Sequence, residues 1–282
     1  MANVRGKAMD NTHLSIDLAE RRGFIHRDYI AHCLRWSHVA NYINKGRLYQ
    51  TADILDIGCG RDLPLLRLLY SSRLIPETGS YTGIDINKLE APFNLGRFNY
   101  ELVPQTDVCK WDDKGSTFRV ITCFEVLEHV EPSHTFAMLK RIASLLEDEG
   151  VAFLSTPVYD SAVGAAANHV NEMSFKGLKF LIEHAGLKVE KVYGTFASIR
   201  DYKDQIDANG LTTVFDRLRE YYDSNYLSTI FAPLFPEQSR NCLWRVSRAD
   251  LIRSDLTPES VSAATNSSSE LWTNFIKENF NG

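Results

Sequence analysis

Apolar residues recur every three or four positions between residues 27 and 48, at Tyr29, Ile30, Cys33, Trp36, Ala40 and Ile43. That spacing predicts a helix with one buried face, ended with the help of Gly46. Polar His32, Arg35 and His38 lie beside the stripe, free to touch a ligand. From residue 53 two periods alternate. Short apolar runs at 53–57, 80–86, 118–124, 150–155 and 187–193 read as strands, and amphipathic runs at 63–71, 133–146 and 175–185 read as helices, the last stopped by Gly186. Strands apolar on both faces, taking turns with helices, imply a parallel sheet covered on each side. Such sheets bind ligands at the carboxyl ends of their strands.

After residue 200 the rhythm breaks. Residues 211–222 predict a helix, 226–237 an aromatic loop with two prolines, and 241–246 (NCLWRV) a last strand. The Ser/Thr-rich run 254–269 is expected to be mobile, with a short amphipathic piece, LWTNFIKENF, behind it. The expected organisation is an N-terminal helical lid over residues 1–49, a domain over 50–248 with an insertion at 200–239, and a flexible C-terminal tail over 249–282 that could engage a protein partner.

Composition narrows the class. The chain has 282 residues, 44% of them hydrophobic, enough to bury a core. Its 31 basic and 36 acidic residues give a net charge of −5 with no long run of one sign, so the general basic footprint of a duplex binder is missing. Five scattered cysteines without CxxC spacing argue against a disulfide framework or a thiolate zinc site and suit a reducing compartment. No apolar run approaches a membrane span and residues 1–14 hold no apolar signal core, so the expected location is the cytoplasm.

The chemistry begins at residues 54–66, ILDIGCGRDLPLL. A strand ending in Asp-x-Gly-x-Gly before a helix needs glycine for a tight turn and for a ligand's close approach to bare backbone. A dinucleotide turn usually carries a third glycine; here Asp62 follows, and an acid there repels a diphosphate. A nicotinamide oxidoreductase is therefore the weaker reading. Asp85, 25 residues past Gly60, stands where a carboxylate accepts two ribose hydroxyls, and Asp107 in TDVCKW stands where an adenine amino group could be met. With Asp56 these acids suit a nucleoside bearing a sulfonium, S-adenosylmethionine. The plainer alternative, turn residues and helix caps, remains open for Asp62 and Asp107.

These stretches resemble the class I S-adenosylmethionine-dependent methyltransferases. ILDIGCG looks like their first motif, YTGIDIN the second, QTDVC the third and VITCFEVLEHV the fourth, with STP closing the next strand. The resemblance spans about residues 50 to 195, and RDLP after the glycines departs from it. It implies an α/β, Rossmann-like doubly wound sheet of seven strands with the last antiparallel. It also implies that Asp56, Gly58 and Gly60 line the methionine end, that Asp85 with Ile86 binds the ribose side, that Asp107 and Val108 flank the adenine, and that Glu125 faces the donor.

Methyl transfer from a sulfonium rests mainly on positioning, and a base matters when the acceptor is a hydroxyl. Neither an Asn/Asp-Pro-Pro-aromatic tract nor a Pro-Cys nucleophile follows the fourth strand; Glu125, Glu128 and His129 do, and they are the expected catalytic residues. With His169 they form a Glu/His set suited to Mg²⁺ or Mn²⁺. The tract is similar to that of small-RNA 2′-O-methyltransferases, whose set binds a divalent ion, and to that of ubiquinone-biosynthesis O-methyltransferases; a metal-free role stays open. Residues 158–173, the first helix, and Phe231, Phe235, Arg240 and Trp244 are expected to shape acceptor choice, unless those aromatics are simply core. The expected reaction is methylation of an oxygen or nitrogen of a small-molecule or nucleotide-like acceptor. The alternatives are a nucleic-acid methyltransferase and a non-catalytic scaffold that binds the donor.

Overall fold

The structure is a computed structural model that describes residues 27–74, 78–90, 98–162, 164–196, 199–249, 254–264 and 270–280. Residues 1–26 of the expected lid, and the side chain of Tyr29, lie outside the described residues.

Seven strands form one sheet in the order β3-β2-β1-β4-β5-β7-β6. They are β1 (Ile54–Ile57), β2 (Tyr81–Ile84), β3 (Tyr100–Val103), β4 (Phe118–Phe124), β5 (Leu146–Pro157), β6 (Leu187–Phe196) and β7 (Asn241–Arg248). β7 runs antiparallel to both its neighbours and the other pairings are parallel, as expected for this fold. β1 lies between β2 and β4, where the strand order reverses, and a crevice forms there at the carboxyl edge.

Side-chain alternation along β1 feeds two cores. Leu55 and Ile57 join the face covered by α3 (Pro132–Leu145) and α4 (Phe175–His184). Ile54 joins the opposite face, covered by α1 (Arg27–Lys45) and α2 (Pro64–Ser71). On α1 the buried positions are Ala31, Arg35, Val39, Ala40 and Ile43, so the inward face is rotated from the expected stripe. Ile30 and Cys33 are only half-buried, and a charged residue takes the central inward place.

Two expectations are corrected. Much of the stretch 226–237 is helical: α5 (Ile199–Ala208), α6 (Thr212–Arg219) and α7 (Ser224–Phe231) precede two 3₁₀ turns and enclose a small core containing Tyr202, Phe215, Phe231 and Phe235. Phe231, Phe235 and the fully buried Trp244 are thus packing residues. The described residues of the C-terminal stretch do not form a loose tail either. α8 (Pro258–Ala264) and α9 (Glu270–Phe280) close the first core, burying Val261, Trp272, Phe275 and Ile276. The rings of Phe275 and Phe280 meet Phe136, and burying such side chains is worth about 1.5–3 kcal/mol each. The Ser/Thr-rich run before them hid that contribution.

Candidate active site

β1 passes into α2 through a turn in which Gly58 and Gly60 both have φ +69°. A Cβ on Gly58 would stand 2.3 Å from Cγ2 of Val126, so no other residue fits, whereas a Cβ on Gly60 would meet nothing within 4 Å. The turn is thus walled on one side and open on the other. Pro64 starts α2, where its missing N–H is no loss.

Register places Ile57 beside Ile84 and Cys123, which brings Gly58, Asp85 and Phe124 to one edge. Gly60 N–H donates to Asp85 Oδ2 at 2.9 Å, and the backbone and side-chain nitrogens of Asn87 donate to Oδ1 at 2.8 and 2.9 Å. The carboxylate is fixed, and it keeps acceptor capacity for ribose hydroxyls. Beside it Ile86 is 74% exposed, an apolar surface next to a polar anchor. Thr106 N–H donates to the Asp85 carbonyl at 3.0 Å, holding the loop that carries Asp107 and Val108 against this edge.

Two expected donor contacts differ. Asp56 is buried and accepts from Tyr81 Oη at 2.7 Å and Thr122 Oγ1 at 2.6 Å. Burial pushes its carboxyl up to about 6 against those two hydrogen bonds, so this side chain braces the sheet and does not line the crevice. The Val108 side chain is buried in the core. Only its backbone is left to flank a ring.

β4 ends at Glu125, whose φ of 55° is unusual for a residue with a Cβ and costs about 1–3 kcal/mol. The surroundings fix it there. Its N–H donates to the Ser155 carbonyl at 2.9 Å, Ser155 Oγ donates to Oε1 at 2.8 Å, and Asn241 Nδ2 donates to both carboxylate oxygens at 3.1 and 3.0 Å. Arg35, 2% exposed, donates to Glu125 Oε1 at 3.0 Å and to Asn241 Oδ1 at 3.1 Å, and it touches His32. Burial alone would raise the Glu125 carboxyl; the charges of Arg35 and His32, with the bonds from Asn241 and Ser155, outweigh it and hold it below its ordinary range. Glu125 therefore pins α1 to the edge of β4, β5 and β7. As an expected metal ligand it is not among the side chains whose ligand atoms converge nearby, and four hydrogen bonds already engage its carboxylate.

Three residues on, Glu128 is 1% exposed and accepts a side-chain hydrogen bond from Thr156 Oγ1 at 3.1 Å. Burial, reinforced by the charge of Glu125, pushes its carboxyl well above the ordinary range. The Glu128 carbonyl accepts from the N–H groups of Val170 and Asn171 at 2.8 and 3.0 Å, which docks the loop after β5 over the 3₁₀ turn at Leu127–His129. That docking delivers His169. Glu128, His129 and His169 bring one ligand atom each within 4.8 Å of one another, and the two imidazole rings meet edge to face at 4.9 Å. His129 Nδ1 lies 3.2 Å from the Asn168 carbonyl, an acceptor, so that nitrogen carries the proton and Nε2, 4.0 Å from Glu128 Oε1, is free to accept one. His169 Nδ1 is paired with the buried Glu172 carboxylate, which orients its ring.

Sequence reasoning left out Asn241 and Glu172, named Arg35 only as a residue that could touch a ligand, and placed Ser155 and Thr156 only at the end of a strand. The signals were faint: Arg35 sits four residues from both Ala31 and Val39, and Glu172 three residues after His169. Arg240, expected near the acceptor, is committed to Asp201 at 2.7 Å and Asp160 at 3.3 Å.

Residues 27–214 match a family model described as a methyltransferase domain. The chain belongs to the methyltransferase-domain family. Its place among class I S-adenosylmethionine-dependent methyltransferases, which the motifs implied, agrees with the glycine turn and the sheet order. It is 32% identical over 111 residues to a ubiquinone biosynthesis O-methyltransferase of Bartonella quintana (strain Toulouse), covering 38% of this chain and 42% of that protein. A namesake from Mesorhizobium japonicum is 31% identical over 113 residues, 39% of this chain and 43% of its own length. The matches thus span less than half of these relatives. Among solved structures, magnesium protoporphyrin IX methyltransferase from Synechocystis PCC 6803, with bound SAH, shares the fold at a TM-score of 0.51 and 12% identity, over 87% of this chain and 91% of that one. No helix among the described residues of this methyltransferase-family chain is long and apolar enough to cross a membrane.

Proposed function

We propose that this chain transfers the methyl group of S-adenosylmethionine to an oxygen or nitrogen of a small-molecule or nucleotide-like acceptor, with a hydroxyl as the favoured nucleophile. The observation that carries the reading is the position of Glu128, His129 and His169, just past β4 at the edge that also bears Gly58, Gly60 and Asp85.

On the donor side Asp85 accepts the ribose hydroxyls, Ile86 offers its exposed side chain to the adenine, and Asp107 accepts from the adenine amino group. Gly58 and Gly60 give the methionine end bare backbone. On the acceptor side His129 Nε2 takes the hydroxyl proton as the oxygen attacks the methyl carbon, and the sulfur keeps the electron pair of the broken bond. The Glu128 carboxyl, favoured neutral by burial, lies 4.0 Å from that nitrogen. Arg35 and Asn241 keep Glu125, and with it the strained exit from β4, in place. In a metal-assisted form of the reaction His129 Nε2 would be a ligand and not the base: a divalent ion of the Mg²⁺ or Mn²⁺ class held by Glu128, His129 and His169 would lower the acceptor's pKa and hold its oxygen. The donor set fits such an ion: one buried carboxylate and two imidazoles converge, and Glu172 orients one of them. The relatives' names support a hydroxyl acceptor; the net charge of −5 puts small acceptors before nucleic acid.

The test is a radiolabelled-methyl assay with the purified chain against phenolic, amine and RNA acceptors, with Mg²⁺, Mn²⁺ or chelator. Methylation of a phenol, lost in His129→Ala while S-adenosylhomocysteine still binds, is expected. Donor binding with no transfer to any acceptor until a partner protein is added would replace this reading with the scaffold role.

A further inference from the structure

A second cluster of ligand-type side chains lies between the loop after β3 and the start of α3. Asp107 and Cys109 belong to the loop between β3 and β4, and His134 to the first turn of α3. One ligand atom from each lies within 4.8 Å of the other two, and His134 Nε2 is 3.3 Å from Asp107 Oδ1. All three are partly exposed, so an ion has a way in. Cys109 is a free thiol.

The loop is also held ready. Arg141, two turns along the helix that carries His134, donates to the carbonyls of Val108 at 3.4 Å and Trp111 at 2.9 Å and to Asp113 Oδ1 at 2.7 Å. It ties residues 108–113 to α3. Cys109 N–H donates to Asp107 Oδ1 at 2.9 Å, which sets the two ligands beside each other. From the opposite side the loop is anchored by the bonds of Gln105 and Thr106 to Asn87 and Asp85. Fixing both ends removes most of the ordering cost that an ion would otherwise meet.

We propose that Asp107, Cys109 and His134 form a binding site for a divalent ion of the zinc class, separate from the Glu128 cluster. Thiolate, imidazole and carboxylate are zinc's ligand types, and three protein ligands with a fourth position left for water make an open zinc site. Ligand atoms at ~2.0–2.3 Å from a tetrahedral zinc lie about 3.3–3.8 Å apart. Small side-chain rotations bring the present 4.8 Å cluster to that spacing. Binding exchanges the Cys109 thiol proton, released to solvent, for a sulfur–metal bond, and the thiolate and carboxylate together balance the ion's two charges. The Glu128 cluster offers only oxygen and nitrogen, so the Cys109 thiolate is what would set this site apart. The site does not rest on the proposed reaction, but it shares Asp107 with the proposed adenine contact, so a bound ion and the donor would compete for that carboxylate.

Cobalt(II) added to the reduced, metal-free chain is the test, because a cobalt–thiolate bond gives a near-ultraviolet charge-transfer band that oxygen and nitrogen ligands do not. One equivalent of cobalt should produce the band, and zinc should erase it. Cys109→Ser should abolish it, and His134→Gln should weaken cobalt binding at least tenfold. Circular dichroism confirms that both variants fold. Glu128→Gln should leave the band intact. A wild-type chain without the band overturns the site, as does a band that persists in Cys109→Ser, which would place cobalt on another cysteine such as Cys33.

Discussion

Glu125 and Glu128 stand three residues apart at the exit of β4, and both are largely withdrawn from water, yet they meet different surroundings. Glu125 receives Arg35, Asn241 and Ser155, and the arginine's charge holds its carboxyl below the ordinary range. Glu128 receives Thr156, lies beside two imidazoles, and is pushed well above that range. A buried acid with a matched cation serves architecture, because its charge is already answered. A buried acid without one keeps a capacity for protons or cations, and that is where chemistry is expected. In the proposed reaction the two glutamates of a shared motif divide between framework and chemistry.

The largest effect should come from breaking the answered charge. Arg35→Met leaves the Glu125 carboxylate without its cation, and urea unfolding should show a loss of about 3 kcal/mol, the low end for such a pair because Glu125 is 21% exposed. Adding Glu125→Gln to that variant should restore more than half of it. Asp56 extends the contrast to a third acid. Its carboxyl is raised from 3.8 to about 6 in the folded chain, so the unfolded chain ionises first and stability falls as pH rises between those values. Relative to Asp56→Asn, the wild type should lose on the order of 3 kcal/mol between pH 4 and pH 7. At the donor edge Asp85→Ala should weaken S-adenosylhomocysteine binding by about 1.5–3 kcal/mol in calorimetry. Unchanged affinity would move the ribose elsewhere.

The smallest stability change is expected at Glu128. Glu128→Gln should shift folding by less than about 1 kcal/mol, since its side chain is favoured in the neutral form, while methyl transfer to a hydroxyl disappears. The pH signs of the two glutamates oppose each other. Glu125 contributes stability above the ordinary carboxylate range, lost as pH falls through its lowered value; Glu128 costs stability above that range, and the cost vanishes as pH falls. Unfolding of Glu125→Gln and Glu128→Gln from pH 3 to 7 should therefore give difference curves, each against wild type, of opposite slope.

Much of the frame was legible. ILDIGCG and YTGIDIN placed the turn and its ribose acid because a tight bend and a sheet-end carboxylate each demand particular residue types. β3 escaped because YELV is four residues long and carries a charge. Arg35 was expected to face a ligand because an arginine beside an apolar stripe reads as surface; its burial follows only when β4, β5 and β7 converge on Glu125, 90 residues away. The left-handed backbone at Glu125 has no signature in residue type. The C-terminal helix was misjudged because a polar run ahead of it carried more weight than four well-spaced apolar positions, Trp272, Phe275, Ile276 and Phe280.

The seat of Val126 against Gly58 makes the two halves of the crevice one mechanical part, since the methyl that blocks any side chain at position 58 comes from the strand exit that holds both glutamates. Divergence along this lineage therefore has an order. Position 126 has to shrink before position 58 can change, and relatives with a larger residue at 58 should carry glycine or alanine at 126.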